Sequence, residues 1–481
     1  MTRIRTALFI PLGGCLLFAG CATMAPDYQR PAAPVPAAWP TGPAYRNTTA
    51  TAQKPVADIP WREFFADERL RRLIAMALQE NRDLRVATLN IERVQAQYRI
   101  QRAALFPELD GTAAGTLQRQ PSGAYGGNNA VTIEQYSVGA GVSAYELDLF
   151  GRVRSLKDQA LEQYLATEQA RESVQIGLVS EVATGYLTLA ADRERLQLAT
   201  DTLKNQQDAY ALTKSRFDAG VSSALDLHQA QTSVDAARVD IARYTTLVAQ
   251  DQNALSLLVG APVPAELLPP SLAETLTAVK EPAPGLPSDV LLKRPDILQA
   301  ENLLKGANAN IGAARAAFFP RITLTGSVGT GSGELSGLFQ PGSFVWSFAP
   351  RITIPIFTAG ANQANLQVAK TDRGIAVAQY EKAIQTAFRE VADALAQRGT
   401  IDGQVNAQQS LTDATAETYK LSRARYEKGV DSYLQVLDAQ RALYGAQQNL
   451  IGVRLARLAN LVTLYRVLGG GATEPVVTAG K

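Results

Sequence analysis

Histidine and cysteine are nearly absent. The 481 residues hold one histidine, His228, and two cysteines, Cys15 and Cys21. A zinc site draws on several imidazole, thiolate or carboxylate ligands, and a Ser-His-Asp triad needs a histidine beside its serine. Only His228 is available for either, so the sequence offers little to a catalytic or metal-dependent function. Charge of one sign is missing too. Forty-seven basic against 45 acidic residues leave +2, no excess for neutralising phosphates and no support for a nucleic-acid partner. Charged residues make up 19%, a low share, whereas 46% apolar is ordinary for a folded chain. Beyond the first residues, no stretch reads as the roughly 18 apolar residues that a membrane helix needs.

Both cysteines fall at the start. Arg3 and Arg5 precede an apolar run, Ala7 to Ala19, that closes on Leu17-Phe18-Ala19-Gly20-Cys21. A basic, then apolar, then small-residue order describes a secretory signal peptide, residues 1–20. The Ala-Gly-Cys ending resembles a bacterial lipobox, with Cys21 as the acylated, palmitate-bearing first residue of the mature chain. The alternative is an ordinary signal peptide with an incidental cysteine. Ala22, where inner-membrane lipoproteins usually have Asp, resembles an outer-membrane address. A multiply acylated cysteine anchors stably, since each buried methylene adds about 0.8 kcal/mol.

The chain is also duplicated. Arg102-Ala-Ala-Leu-Phe-Pro107 recurs as Arg315-Ala-Ala-Phe-Phe-Pro320, and Arg216-Phe-Asp-Ala-Gly220-Val-Ser-Ser223 as Arg425-Tyr-Glu-Lys-Gly429-Val-Asp-Ser432. Two copies of one unit, rather than the three domains that length suggests, organise the chain. Pro-rich connectors, Pro26 to Pro60 and Pro262 to Pro295, precede and separate them.

Each copy has the same internal order. A helical stretch runs to the Phe-Pro stop. An alternating segment follows: Leu109, Gly111, Ala113, Gly115 and Leu117 in copy one, and Ile322, Leu324, Gly326 and Val328 in copy two. A Gly- and Ser-rich loop leads to a second alternating run, which in copy two is Phe344, Trp346 and Phe348, resuming at Ile352, Ile354 and Ile356. Such period-two segments are the signature of a membrane hairpin, with a soluble half-buried hairpin as the alternative. Trp346, Phe344, Tyr136 and Tyr145 suit either interfacial girdles or core packing. Next come long Ala- and Gln-rich stretches without proline, Arg152 to Ala219 and Ala361 to Lys428, each roughly 100 Å if wholly helical. Beyond a Gly-Val turn, apolar residues fall at heptad spacing. They are Leu227, Ala230, Val234, Ala237, Ile241 and Tyr244 in copy one, and Val436, Ala439, Leu443, Ala446, Leu450 and Val453 in copy two. His228 lies beside that seam and reads as a satisfied polar residue. Gly326 to Gly333 lacks the Gly-Lys-Ser/Thr ending of a phosphate loop.

Four strands cannot close a membrane barrel, because single-chain barrels begin at eight. An open edge in lipid costs several kcal/mol per unpaired group. If the strands span a membrane, several chains must share one barrel, which the long helices would continue as a conduit.

Three motifs make the resemblance specific: Trp61-Arg-Glu-Phe-Phe65, Tyr145-Glu-Leu-Asp-Leu-Phe-Gly151, and the run from Leu286 to Asp296. With the repeat in register over nearly all of the mature chain, the sequence resembles the outer-membrane efflux protein family, the TolC-like channels, in their lipoprotein branch. The resemblance implies a mainly α chain with a membrane β-barrel. It implies a homotrimer with one shared 12-stranded barrel, continued by a 12-helix periplasmic tunnel, with no enzymatic activity and no cofactor. On that plan residues 21–66 are a lipidated N-terminal segment, and 67–107, 148–261, 293–319 and 358–469 are tunnel helices. Residues 108–147 and 320–357 are the outer-membrane hairpins, and 262–292 with 470–481 form a mixed α/β equatorial belt. The implied partners are a periplasmic adaptor, an inner-membrane pump (a proton-driven drug exporter) and outer-membrane lipid.

The resemblance also places a gate at the periplasmic tip, where Leu434, Asp438 and Arg441 match the constriction positions. Their i,i+4 and i,i+3 spacings put them on one helix face, and threefold symmetry would make them three rings. A Leu ring resists wetting and an Asp ring favours cations. The alternative is an exposed Asp438–Arg441 helix pair worth well under ~1 kcal/mol. Some relatives carry a second Asp three residues earlier; here Gln435 stands there, and Asp226 is its counterpart in copy one. The function so implied is the outer-membrane exit of a tripartite multidrug efflux pump. The alternatives are the exit duct of a protein-secretion system and a periplasmic scaffold lipoprotein without a pore.

Overall fold

A computed structural model describes residues 23–45, 56–121, 130–275 and 291–471. The signal peptide, Cys21, Leu286 to Val290 of the third motif and residues 472–481 lie outside these. Seven helices of more than one turn carry the described chain: α1 Glu68–Glu80, α2 Arg82–Ala103, α3 Arg152–Asp218, α4 Ala224–Val259, α5 Pro295–Ala316, α6 Ala361–Glu427 and α7 Tyr433–Val467. Strands β1 Leu109–Gln120 and β2 Val131–Leu147 precede α3, and β3 Arg321–Ser332 and β4 Phe344–Thr353 precede α6. The duplication is thus a repeated helix, hairpin, 67-residue helix and shorter helix. At 1.5 Å per residue, α3 and α6 are each about 100 Å long.

The chain divides into two compact units. One comprises Met1–Ala32, Ile91–Thr167 and Gln299–Tyr380 and contains a single antiparallel sheet in the order β1-β2-β3-β4. Its register pairs Leu109, Gly111 and Ala113 with Val142, Ala140 and Val138. Across β3, Ile322, Gly326 and Val328 face Leu147, Val142 and Ala140 on one side, and Ile352, Phe348 and Trp346 on the other. Directly paired residues share a face, so the alternating residues of all four strands collect on one apolar face. Thr112, Thr116, Gln135, Ser137, Ser327 and Ser347 lie on the other, where Ser327 Oγ and Ser347 Oγ are 2.7 Å apart. A bulge between Val142 and Tyr145 puts Ala144 at φ 55°. The apolar alternation continues to Ile356, but β4 stops at Thr353. Pro355 can donate no ladder hydrogen bond, and Ala359 and Gly360, both at positive φ, turn the chain into α6.

The same unit holds the residues after the lipobox. Tyr28 and Arg30 converge on Glu301 of α5, Arg30 in bidentate fashion at 3.0 and 2.8 Å. Burial opposes the Glu301 charge, but Arg30 and Lys305 outweigh it and hold the carboxyl below its usual range.

The other unit comprises Ala33–Asn90, Glu168–Leu298 and Glu381–Lys481. Its core explains the first motif: Trp61, Phe64 and Phe65 are buried with Leu70, Leu73 and Ile74. Phe64 stacks on Tyr465 at 3.9 Å, and the Tyr465 hydroxyl donates to the Ile59 carbonyl at 2.6 Å. Asp67 caps α1 by accepting from Arg69 N and Leu70 N. Arg294 of the third motif, also buried, donates to Asp296, to Glu390 of α6 and to the Val467 carbonyl of α7. The Pro-rich connector contributes two single 3-10 turns, Ala265–Leu267 and Ala273–Thr275, and no strand among the described residues.

One expectation needs correcting. An 18-residue window of α3 reaches a mean hydropathy of 1.3, enough by length and composition to cross a membrane. Two thirds of it, 67%, is buried within the protein, including Val179, Val182, Ala183, Tyr186 and Leu187. Its apolarity serves a helix packed on several sides, and Gln175, Ser180, Glu181, Thr184 and Thr188 interrupt the apolar run in the sequence.

Candidate gate at the helical turns

The α3–α4 and α6–α7 turns are built alike. Gly220 and Gly429 adopt the left-handed conformation at φ 75° and 74°. Val221 N donates to Arg216 O, and Val430 N to Arg425 O, the long-range bond of a Schellman ending that only a glycine at this position allows cheaply. The following valines project outward, Val221 75% and Val430 60% exposed.

Beyond the turns, every position of the two heptad seams is buried or half-buried. Ala230 packs with Tyr433, Val436 and Leu437. Two reciprocal bonds tie α4 to α7: Tyr244 donates to Gln448 at 2.9 Å, and Tyr444 to Asp240 at 2.9 Å.

Leu434, Asp438 and Arg441 lie together on the opposite, exposed face of α7. Asp438 and Arg441 make no ion pair with each other or with another group among the described residues. Asp226 is placed differently. Its Oδ2 accepts from Ser222 Oγ, Ser223 N and Ser223 Oγ at 3.1, 3.2 and 2.8 Å, while Ser223 Oγ accepts from Asp226 N. This is a complete capping box on α4. Partial burial opposes the Asp226 charge, but the serine bonds prevail and hold its carboxyl below the usual range. Copy two has Gln435 at that place, and Ser432 makes no side-chain cap. His228, expected to be satisfied beside the seam, is exposed without a partner among the described residues.

Sequence reasoning missed the groups that join the turns. Arg425 clasps Asp431 with two bonds, at 2.5 and 3.0 Å, across its turn. Ser222 replaces that aspartate in copy one, which leaves Arg216 free to stack 4.6 Å over the Tyr426 ring. Tyr426 in turn lies 5.3 Å from Tyr433. The Tyr433 hydroxyl is buried without a hydrogen-bond partner. Burial, with Tyr426, Tyr419 and Asp226 nearby, pushes it up to about 12. Comparing the two copies residue by residue would have exposed the Asp431/Ser222 difference. A further acidic contact lies in the same unit: Asp251 of α4 faces Asp192 of α3, whose carboxylate is held by Arg195 at 2.6 Å. No group of three or more His, Cys, Asp or Glu able to hold a metal occurs among the described residues.

A duplicated chain that joins an amphipathic four-stranded sheet to helices of about 100 Å has the architecture of an outer-membrane channel subunit. The profile of the family described as outer membrane efflux protein matches residues 73–261 and 286–470, and the chain belongs to that family. It is 51% identical over 471 residues to a probable efflux pump outer membrane protein, TtgC, of Pseudomonas putida, covering 98% of this chain and 95% of that one. Among solved structures, a membrane protein from Pseudomonas aeruginosa superposes with a TM-score of 0.88 at 46% identity, covering 93% of this chain and 100% of that one. The open state of the MtrE outer membrane channel of Neisseria gonorrhoeae gives 0.84 at 40% identity, covering 94% and 99%. The protein is accordingly an outer-membrane efflux channel and not an enzyme.

Proposed function

We propose that three copies of this chain form the exit duct of a tripartite multidrug efflux pump, anchored by acylated Cys21. The duct conducts drugs and other small toxic compounds passively from an inner-membrane pump and a periplasmic adaptor. The carrying observation is the sheet: one apolar face, one polar face, and two edge strands, β1 and β4, whose outer sides pair with no strand among the described residues. Such edges are unaffordable in lipid unless another chain pairs with them. Three copies supply twelve strands for one barrel, with Thr, Ser, Gln and Gly toward the lumen, and twelve helices for the tunnel.

Leu434, Asp438 and Arg441 are assigned to the gate. Their exposure on α7, opposite the face that packs on α4, is what a pore-lining position requires. Asp226 contributes by fixing the first turn of α4, since its Oδ2 is already taken by three donors. The exposed Val221 and Val430 offer an apolar surface to the adaptor. A protein-secretion duct would share all of this. The two readings separate in a host deleted for the gene. Susceptibility to small apolar toxicants should rise while the set of secreted proteins stays unchanged; unchanged susceptibility with lost secretion would favour the alternative. A scaffold without a pore predicts neither change.

A further inference from the structure

The residues that follow Cys21 run along a fixed track in the strand-bearing unit. Arg315 Nη1 donates to the Met24 carbonyl at 3.0 Å, and Asn308 Nδ2 to the Pro26 carbonyl at 2.7 Å. Gly312 lets the track lie directly on α5, because a Cβ there would stand 2.6 Å from Ala25 N and 2.5 Å from Ser155 Oγ. Tyr28 and Arg30 then fasten it to Glu301. The track starts at an open groove of about 610 Å³, lined by Met24, Ala25, Arg315, Phe318, Phe319 and Leu366, with Gln363 at its side. That volume falls in the ~300–1,000 Å³ range of small-ligand clefts. Phe318 and Phe319 leave 41% and 42% of their surface uncovered.

We propose that this groove seats the diacylglyceryl group carried by Cys21. The inference rests on the acylation of Cys21 and adds a binding site for the modified residue. Two residues separate Cys21 from Met24, so three peptide steps keep the acylated residue within roughly 10 Å of the groove wall. The hydrocarbon lies along Phe318, Phe319 and Leu366. The Arg315 N–H groups not spent on Met24 have no other acceptor among the described residues, and they meet the ester carbonyls. The lipid then fixes the start of the track as well as tethering the chain to the bilayer.

The duplication provides an internal control. Phe106, the counterpart of Phe319 at the other Phe-Pro stop, is 67% exposed and lines no such track among the described residues. The full-length protein is made in a lipidating host fed a diazirine-bearing fatty acid, purified, irradiated and digested. The mass of the Cys21 peptide reports acylation, and its cross-links report where the chains lie. The expected result is an acylated peptide cross-linked several-fold more to Phe318, Phe319 and Leu366 than to Phe106, with the preference lost in Leu366→Lys. Acylation with equal or scattered cross-links overturns the groove and leaves the anchor. An unmodified Cys21 overturns both.

Discussion

Asp251→Asn should stabilise the protein near neutral pH. The Asp251 carboxyl is pushed up to about 6 by burial first, and then by the charge and proton-sharing of Asp192. One of its oxygens is buried without a partner, and Arg195 is committed to Asp192 at 2.6 Å. An unfolded aspartate titrates near ~3.9. Between that value and about 6, the folded chain keeps a proton that the unfolded chain has lost, so stability falls as pH rises through this window. The penalty is complete above it and absent below it. A shift of this size corresponds to about 3 kcal/mol undiscounted, and solvent screening at a partly exposed carboxyl reduces it to about 1–2 kcal/mol. Unfolding of the detergent-solubilised protein, followed by far-UV circular dichroism at pH ~7.5 and pH ~4, provides the assay. The Asn variant should exceed the parent at the higher pH and match it at the lower. Equal midpoints at both values, or a variant weakened at the higher one, would refute the reasoning.

Four further outcomes follow from named contacts. Arg294→Met removes the buried guanidinium shared by Asp296, Glu390 and the Val467 carbonyl; with those carboxylates partly solvated, the loss should be about 2–3 kcal/mol in the same unfolding assay. Asp226→Ala should cost about 1 kcal/mol through the lost capping box, read as faster hydrogen exchange at the first turn of α4 with little change in conductance. Asp438→Ala with Arg441→Ala should enlarge the closed-state conductance in planar bilayers, and an unchanged value would remove both from the gate. Trp346→Arg puts a charge on the apolar face, where up to ~2–4 kcal/mol is lost near the bilayer midplane; less assembled oligomer should survive on semi-native gels.

Much of this architecture is legible in the residues. The Phe-Pro stops at Pro107 and Pro320 separate helix from strand because proline lacks an N–H. The heptad positions from Val436 to Val453 are those that pack, because helical period and burial are the same information. What stayed hidden is tertiary. Pro355 overrides an apolar alternation that runs on to Ile356. The apolar window of α3 is interrupted by Gln175, Ser180, Glu181, Thr184 and Thr188, and its burial emerges only once its neighbours are placed. Asp226 is the copy-one counterpart of a gate position, and the bonds its carboxylate accepts from Ser222 and Ser223 appear only in the folded turn. The Arg216–Tyr426 stack joins residues 210 positions apart, which no local pattern encodes.

The central claim is that separate copies close one another's open sheet edges into a conducting pore. Single-channel recording in a planar bilayer, with native mass measured on the same detergent-purified sample, tests it most directly. The account predicts a species of three chains that gives small, cation-selective conductance steps. A monomer that is soluble without detergent and gives no steps would contradict it.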